Sequence, residues 1–326
     1  MILCRWKSTK RIEKLLSELE TLKAVFDHLP KLPHIEENLR RESLLKSSVY
    51  SARIEGNPTS ESQMKLEGTF GFKKDIHRLE ISNLLAVYRK IEAGRLPKKP
   101  TVEVIKSLHR LTMKDLSPMA GQFRQEPWAI FNQAGVALYL APPHLKVPAL
   151  VENLAQIASQ GKEAAPIKAA LVQFLFEKIH PFADGNGRVG RLISSIILKN
   201  NGYGMRGLVS FEEYTDNHRS LYYEALEPNN NATLFIEFFL ESLVVQANEV
   251  LIKIGNKTEE SSEDSLLPRR QEILAIIRDH PHCSFDFISR RFPTINPKTL
   301  HYDLAQLIKS GFVRKLGVSR GTVYQA

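Results

Sequence analysis

Residues 180–191 read HPFADGNGRVGR, and the stretches on either side decide how this run is held. Residues 166–178, PIKAALVQFLFEK, carry apolar side chains on most faces after a proline suited to a first helical turn. They predict a buried helix that delivers His180 at its end. Residues 188–200, RVGRLISSIILKN, are again largely apolar between their arginines, with Gly202 as a stop, and predict a second buried helix. The turn between them carries chemistry. Gly185 and Gly187 let the backbone present consecutive N–H groups to a phosphate, and a helix starting just beyond adds its dipole. Asp184 is a hard oxygen donor suited to Mg²⁺, while Arg188 and Arg191 offer forked donors to a polyphosphate. His180 is left to move a proton. A metal site pairing His180 with Asp184 is disfavoured, because Pro181 and Gly185 break the helix that would bring the two onto one face. From these residues alone the chemistry is a Mg²⁺-dependent phosphoryl or nucleotidyl transfer, in which positioning and charge neutralisation do most of the work.

The pattern H-x-F-x-D-G-N-G-R-x-x-R matches at every defined position the signature of the Fic family, which the chain therefore resembles. The resemblance implies a mainly α-helical domain with a small β-hairpin flap. It also implies a protein adenylyltransferase that moves AMP from ATP to a Tyr, Thr or Ser hydroxyl of a protein target, with self-modification as a further expectation. Carried over by residue, His180 is the general base and Asp184 holds the Mg²⁺ that bridges the α- and β-phosphates. Gly185, Asn186 and Gly187 form the anion nest, and Arg188 and Arg191 hold the β- and γ-phosphates. Phe182 points into the core and anchors the loop.

Upstream, residues 47–58 read SSVYSARIEGNP. Ser51-x-x-x-Glu55-Gly56-Asn57 resembles the inhibitory motif that many Fic proteins carry on a helix before the core, here about residues 35–57. The resemblance implies that Glu55 pairs with Arg191, so that ATP binds without the geometry for in-line attack on its α-phosphate. Residues 121–148 contain AIF and VALYL around the turn 132–135, which predicts a hairpin. In relatives a hairpin here aligns the target chain, a task suited to strand addition. Gly121-x-x-Arg124 also recurs in relatives, and the sequence assigns it no role. In NHRSLYYEAL, residues 217–226, Tyr222 and Tyr223 are candidates for an adenine wall, with core packing as the competing reading.

The 326 residues allow about two domains, and 43% hydrophobic with 25% charged residues describe an ordinary globular chain. Cys4 and Cys283 are the only cysteines, the first residues MILCRWKSTKR lack a signal peptide's apolar run, and no stretch reaches the roughly 18 apolar residues of a membrane span. The expectation is a cytoplasmic protein with no membrane partner, and a homodimer is one expected state. Residues 1–262 are expected to form the Fic-type domain, with its core at about 100–245. Residues 255–268, GNKTEESSEDSLLP, read as a linker. Residues 266–326 carry ten Lys and Arg against four Asp and Glu. They parse as helices near 269–280, 284–291 and 297–310, then FVRKL and TVYQA around a turn from Gly317 to Gly321. That order resembles a winged helix-turn-helix domain. Its third helix would present Lys298, Thr299, His301 and Tyr302, with Lys315 and Arg320 at the wing, to DNA or to a protein. Besides an adenylyltransferase restrained by Glu55, two alternatives remain. One is an enzyme that removes AMP, with Glu55 activating a water. The other is a DNA-binding regulator whose Fic pocket senses a nucleotide.

Overall fold

The structure, a computed structural model, describes residues 4–30, 33–66, 75–131, 137–226, 230–259, 266–293, 295–317 and 322–326. The hairpin turn at 132–135, linker residues 260–265 and the wing tip with Arg320 lie outside the described residues. The chain divides into two compact units, Met1–Pro30 with Arg40–Leu251, and Lys31–Leu39 with Ile252–Ala326.

The chain is mainly helical. The order is α1 (Lys10–His28), α2 (Pro33–Ile54), α3 (Glu61–Leu66), α4 (Ile76–Glu92), α5 (Val102–Thr112), strands β1 (Ala129–Phe131) and β2 (Ala137–Leu140), then α6 (Val147–Gln160), α7 (Ala165–Ile179) and α8 (Asn186–Asn200). There follow α9 (Phe211–Asn217), α10 (Arg219–Ala225), α11 (Thr233–Glu259), α12 (Pro268–Asp279), β3 (Cys283–Ser284), α13 (Phe285–Ser289), α14 (Pro297–Lys309), β4 (Arg314–Leu316) and β5 (Val323–Gln325). Helix starts follow local chemistry: Thr101 accepts from Val104 N at the head of α5, and Asp75 accepts from His77 N and Arg78 N at the head of α4.

Helices α7 and α8 form the centre of the first unit. Ala169, Val172, Phe174 and Phe176 from one, and Val189, Leu192 and Ile193 from the other, are fully shut off from solvent. A side chain at Gly190 would begin 3.1 Å from Glu177 Oε1 and 3.5 Å from Phe176, so glycine permits the close approach of the two helices. Around this pair, α4 and α5 bury Ile81, Leu84, Ile105 and Leu108. The hairpin pairs antiparallel, with Ala129 opposite Leu140 and Ile130 opposite Tyr139, and its register slips between Ile130 and Phe131.

The second unit packs α12, α13 and α14 around Ile273, Ile277, Ile288, Leu300, Leu304 and Leu307. An antiparallel sheet in the order β3-β5-β4 closes it, with Cys283 opposite Tyr324 and Lys315 opposite Tyr324 on the other side. Asn296 caps α14 by accepting from Lys298 N, and the buried Asp303 pairs with Arg269 and Arg270. The short strand β3 has no counterpart in the expectation from sequence. Among the described residues no helix is long and apolar enough to cross a membrane.

Candidate active site

The site is a loop clamped between α7 and α8. Helix α7 ends on His180, which adopts a left-handed backbone (φ 47°, ψ 61°) while its N–H still donates to Phe176 O at 2.9 Å. That conformation costs a non-glycine residue on the order of 1 kcal/mol and must be held by its surroundings. Asn186 supplies part of the hold. Its Oδ1 accepts from Phe182 N and its Nδ2 donates to Phe182 O, both at 2.9 Å, which closes the loop on itself. Phe182 is fully buried and stacks flat on His109, with ring centroids 3.8 Å apart. Gly121 N donates to His109 Nδ1 at 2.7 Å, so the ring's proton sits on Nε2, which donates to Asp184 O at 3.0 Å. Burial lowers the His109 pKa to about 4, and the ring stays neutral. Gly185 (φ 79°) opens α8, and a side chain there would start 2.9 Å from the Met113 sulfur. Helix α8 therefore starts at Asn186, two residues ahead of the expected 188. The N–H groups of its first turn lack intrahelical acceptors and form the positive end of the helix dipole.

Two arginines stand over that helix end. Arg188 Nη1 bonds Glu80 Oε1 and its Nη2 bonds Asp184 Oδ1, at 2.5 and 2.6 Å. Asn57 donates to the other Glu80 oxygen at 2.9 Å. Arg191 is fully buried. Its Nε donates to Ser51 Oγ (2.9 Å), and its Nη2 to Ser51 O (2.8 Å) and Glu55 Oε1 (2.9 Å), while Nη1 is buried without a partner. Glu55 lies in the turn just past Ile54, the last residue of α2. An ideal Cβ on Gly187 would fall 2.1 Å from Glu55 Oε1. The carboxylate thus rests in the first turn of α8, where an anion is favoured by both the free N–H groups and the guanidinium.

One face of α2 carries the polar contacts that hold this arrangement. Four residues before Ser51, Ser47 donates to Glu212 Oε2 at 2.8 Å, and Tyr88 donates to Glu212 Oε1 at 2.6 Å. Ser210 donates to the same Oε2 at 3.2 Å. Burial raises the Glu212 pKa.

His180 lies beneath Trp128, with ring centroids 3.5 Å apart and planes 23° apart. Burial lowers its pKa to about 4, and one ring nitrogen bonds the Glu177 carbonyl. That nitrogen carries the proton, so the other is a free acceptor at neutral pH, as a general base requires. Asp184 is the exposed member, its side chain 67% accessible. Among the described residues no three His, Cys, Asp or Glu side chains gather as a protein metal cage. A single carboxylate beside an anion site fits the donor set of Mg²⁺, which keeps waters and phosphate oxygens as its other ligands.

Of the two candidates for an adenine wall, Tyr222 is buried and its ring packs against Phe235 and Phe238. Tyr223 is half exposed and donates to Ile54 O at 3.0 Å. Sequence reasoning missed Glu80, His109 and Trp128, which meet residues of the run from α4, α5 and the hairpin approach, and Glu212 on α9, which accepts from Ser47 of α2. None carries a local signal that distinguishes it from a solvated or core residue.

Residues 99–198 match the model of the Fic/DOC family. Over 249 residues, 71% of the chain, the sequence is 28% identical to protein adenylyltransferase Fic of Aedes aegypti and spans 46% of it. Over 81 residues it is 37% identical to a probable protein adenylyltransferase of Aquifex aeolicus, covering 24% of each. The chain spans less than half the length of these curated relatives. In fold it is similar to a Fic family protein from Desulfovibrio desulfuricans, with a TM-score of 0.67 at 22% identity over 98% of this chain and 96% of that one.

Proposed function

We propose that this chain, which carries a Fic domain over residues 99–198, is a protein adenylyltransferase that moves AMP from ATP to a Tyr, Thr or Ser hydroxyl and is restrained by its own Glu55. One observation carries the reading: a neutral imidazole and a helix end built for anions flank the same clamped loop, and an internal carboxylate sits in the anion position. In the reaction His180 takes the proton of the target hydroxyl. The freed oxygen attacks the α-phosphorus, the bond to the β-phosphate oxygen breaks, and pyrophosphate leaves. The first-turn N–H groups of Gly187 and its neighbours, with Arg188 and Arg191, bear the charge that develops on the phosphates. Asp184 would hold Mg²⁺, which supplies further charge neutralisation there when bound.

The restraint is competition for one guanidinium. While Glu55 occupies Arg191, the polyphosphate lacks the contact that would orient it, and misorientation at the reacting phosphorus is costly in rate. Strand addition of a target segment to the hairpin is the expected mode of target binding, and Tyr223 is the aromatic left to face adenine. The second unit, with three helices and the β3-β5-β4 sheet, supports a winged-helix reading, and the exposed Lys298, His301 and Tyr302 on α14 support DNA as its partner. A gel shift that weakens with salt is the corresponding test.

The transfer itself is tested with Glu55→Gly protein and ATP labelled at either the α- or the γ-phosphate. Label is expected on protein from the α-position only, and is expected to vanish in Glu55→Gly/His180→Ala while nucleotide still binds. Transfer of the γ-label, or transfer without His180, would overturn the assignment.

A further inference from the structure

Arg124 has no part in the reaction as derived above, yet it is the most heavily bonded cation beside the loop. Only 5% exposed, it has no carboxylate partner among the described residues, and every donor it uses goes to a backbone carbonyl. On one side its Nε donates to His180 O at 2.8 Å, its Nη2 reaches Ile179 O at 3.5 Å, and its own backbone N–H donates to Pro181 O at 2.9 Å. Three consecutive carbonyls at the end of α7 thus meet one residue. On the other side Nη1 donates to Glu126 O at 2.8 Å and Nη2 to Pro142 O, the carbonyls just outside the two strands of the hairpin. The negative end of the α7 dipole stands in for the missing counter-ion.

The two sides of this clamp hold the two things the reaction needs aligned. His180 keeps its left-handed backbone only if the carbonyls beside it are fixed, and Arg124 takes hold of all three. Trp128, which stacks on the imidazole, lies between Glu126 and β1, and its carbonyl accepts from Ala141 N at 3.0 Å across the hairpin. Tyr139 on β2 adds a second tie by donating to Lys178 O. We propose that Arg124 is a positioning residue that sets the orientation of His180 and seats the target-binding hairpin through one buried guanidinium. The inference rests on His180 being the base, but the geometry it asserts can be read with no nucleotide present. Lysine cannot replace it, because a single ammonium lacks the planar fork that serves carbonyls in different directions.

The test is a histidine-labelled NMR titration of the full chain as wild type, Arg124→Lys and Arg124→Gln. In wild type the His180 ring protons are expected upfield, under the Trp128 indole, with titration near 4. In both variants the upfield shift is expected to collapse and the titration to climb toward the ordinary 6.5. In a Glu55→Gly background, Arg124→Lys is expected to lower kcat on the order of a hundredfold, as misplacement of a reacting group does, with the KM for ATP changed less than about threefold. Unchanged His180 shifts and titration in both variants would overturn the proposal, as would a KM for ATP that rises in step with the loss of kcat. If Glu55→Gly itself transfers nothing, the functional reading fails while the titration still decides the role of Arg124.

Discussion

Glu177 gives the most quantitative consequence of the structure. It sits on α7 with Oε1 cut off from solvent and without a partner, facing the bare Cα of Gly190. Burial and then the charge of Glu55 raise its pKa from 4.5 to about 8, against the opposing pull of Arg191 and Lys178. A carboxyl whose folded pKa is raised stabilises the fold fully below the unfolded value, and this contribution is lost as pH rises through the folded value. Between pH 4.5 and 8 the unfolded chain releases a proton that the folded chain keeps, at about 1.4 kcal/mol per pH unit. Glu177→Gln mimics the neutral acid and has no proton to lose. Relative to the variant, wild type is therefore expected to lose up to about 5 kcal/mol across that window, and to run parallel to it above about pH 8. Urea unfolding at a series of pH values, followed by tryptophan fluorescence, reads this directly, since Trp6 and Trp128 both belong to the first unit. In a Glu55→Gly background one raising cause is gone and the loss should shrink. Stability curves for wild type and Glu177→Gln that stay parallel from pH 5 to 8 would refute the reasoning.

Other consequences follow from single contacts. Asn186→Ala leaves both backbone groups of Phe182 buried without partners, at a cost of about 2–4 kcal/mol, so an unfolding midpoint equal to wild type would contradict the clamp. Tyr88→Phe removes a donor to the buried Glu212 carboxylate, which should cost about 1.5–3 kcal/mol and, by loosening α2, raise transfer severalfold but less than Glu55→Gly does. Equal stability in a thermal melt would count against that network. Asp184→Ala in the Glu55→Gly background should abolish the Mg²⁺ dependence of transfer along with most of the rate, and a retained metal optimum would remove Asp184 as the ligand.

The loop was legible because its determinants are local. Gly185 and Asn186 act within five residues of one another, and the apolar runs on either side define helices whose observed bounds, Ala165–Ile179 and Asn186–Asn200, exceed those expected by one or two residues. The early start of α8 has a cause that composition hides: the side chain of Asn186 folds back onto Phe182 while its backbone is already helical. Glu55 was legible only through its resemblance to a motif. Glu80 on α4 and Glu212 on α9 were not legible, because they look like any helical glutamate until the fold brings Arg188 and Ser47 against them. Tyr222 shows the converse. An aromatic pair on a helix is more often core than a binding wall, and what packs on it, here Phe235 and Phe238 on α11 against Tyr222, is set by residues distant in the sequence.

The central claim is that Glu55 holds a competent site in check. One charge-assisted bond from a fully buried Arg191, worth about 1.5–3 kcal/mol, separates the restrained from the free guanidinium and corresponds to roughly ten- to hundredfold in rate. The direct measurement is the initial rate of AMP incorporation from ATP, by intact-protein mass spectrometry, for wild type and Glu55→Gly side by side. The account expects the variant to be faster by about that factor. Equal rates would remove the brake, and loss of AMP from pre-modified protein by wild type but not by Glu55→Gly would replace transfer with removal.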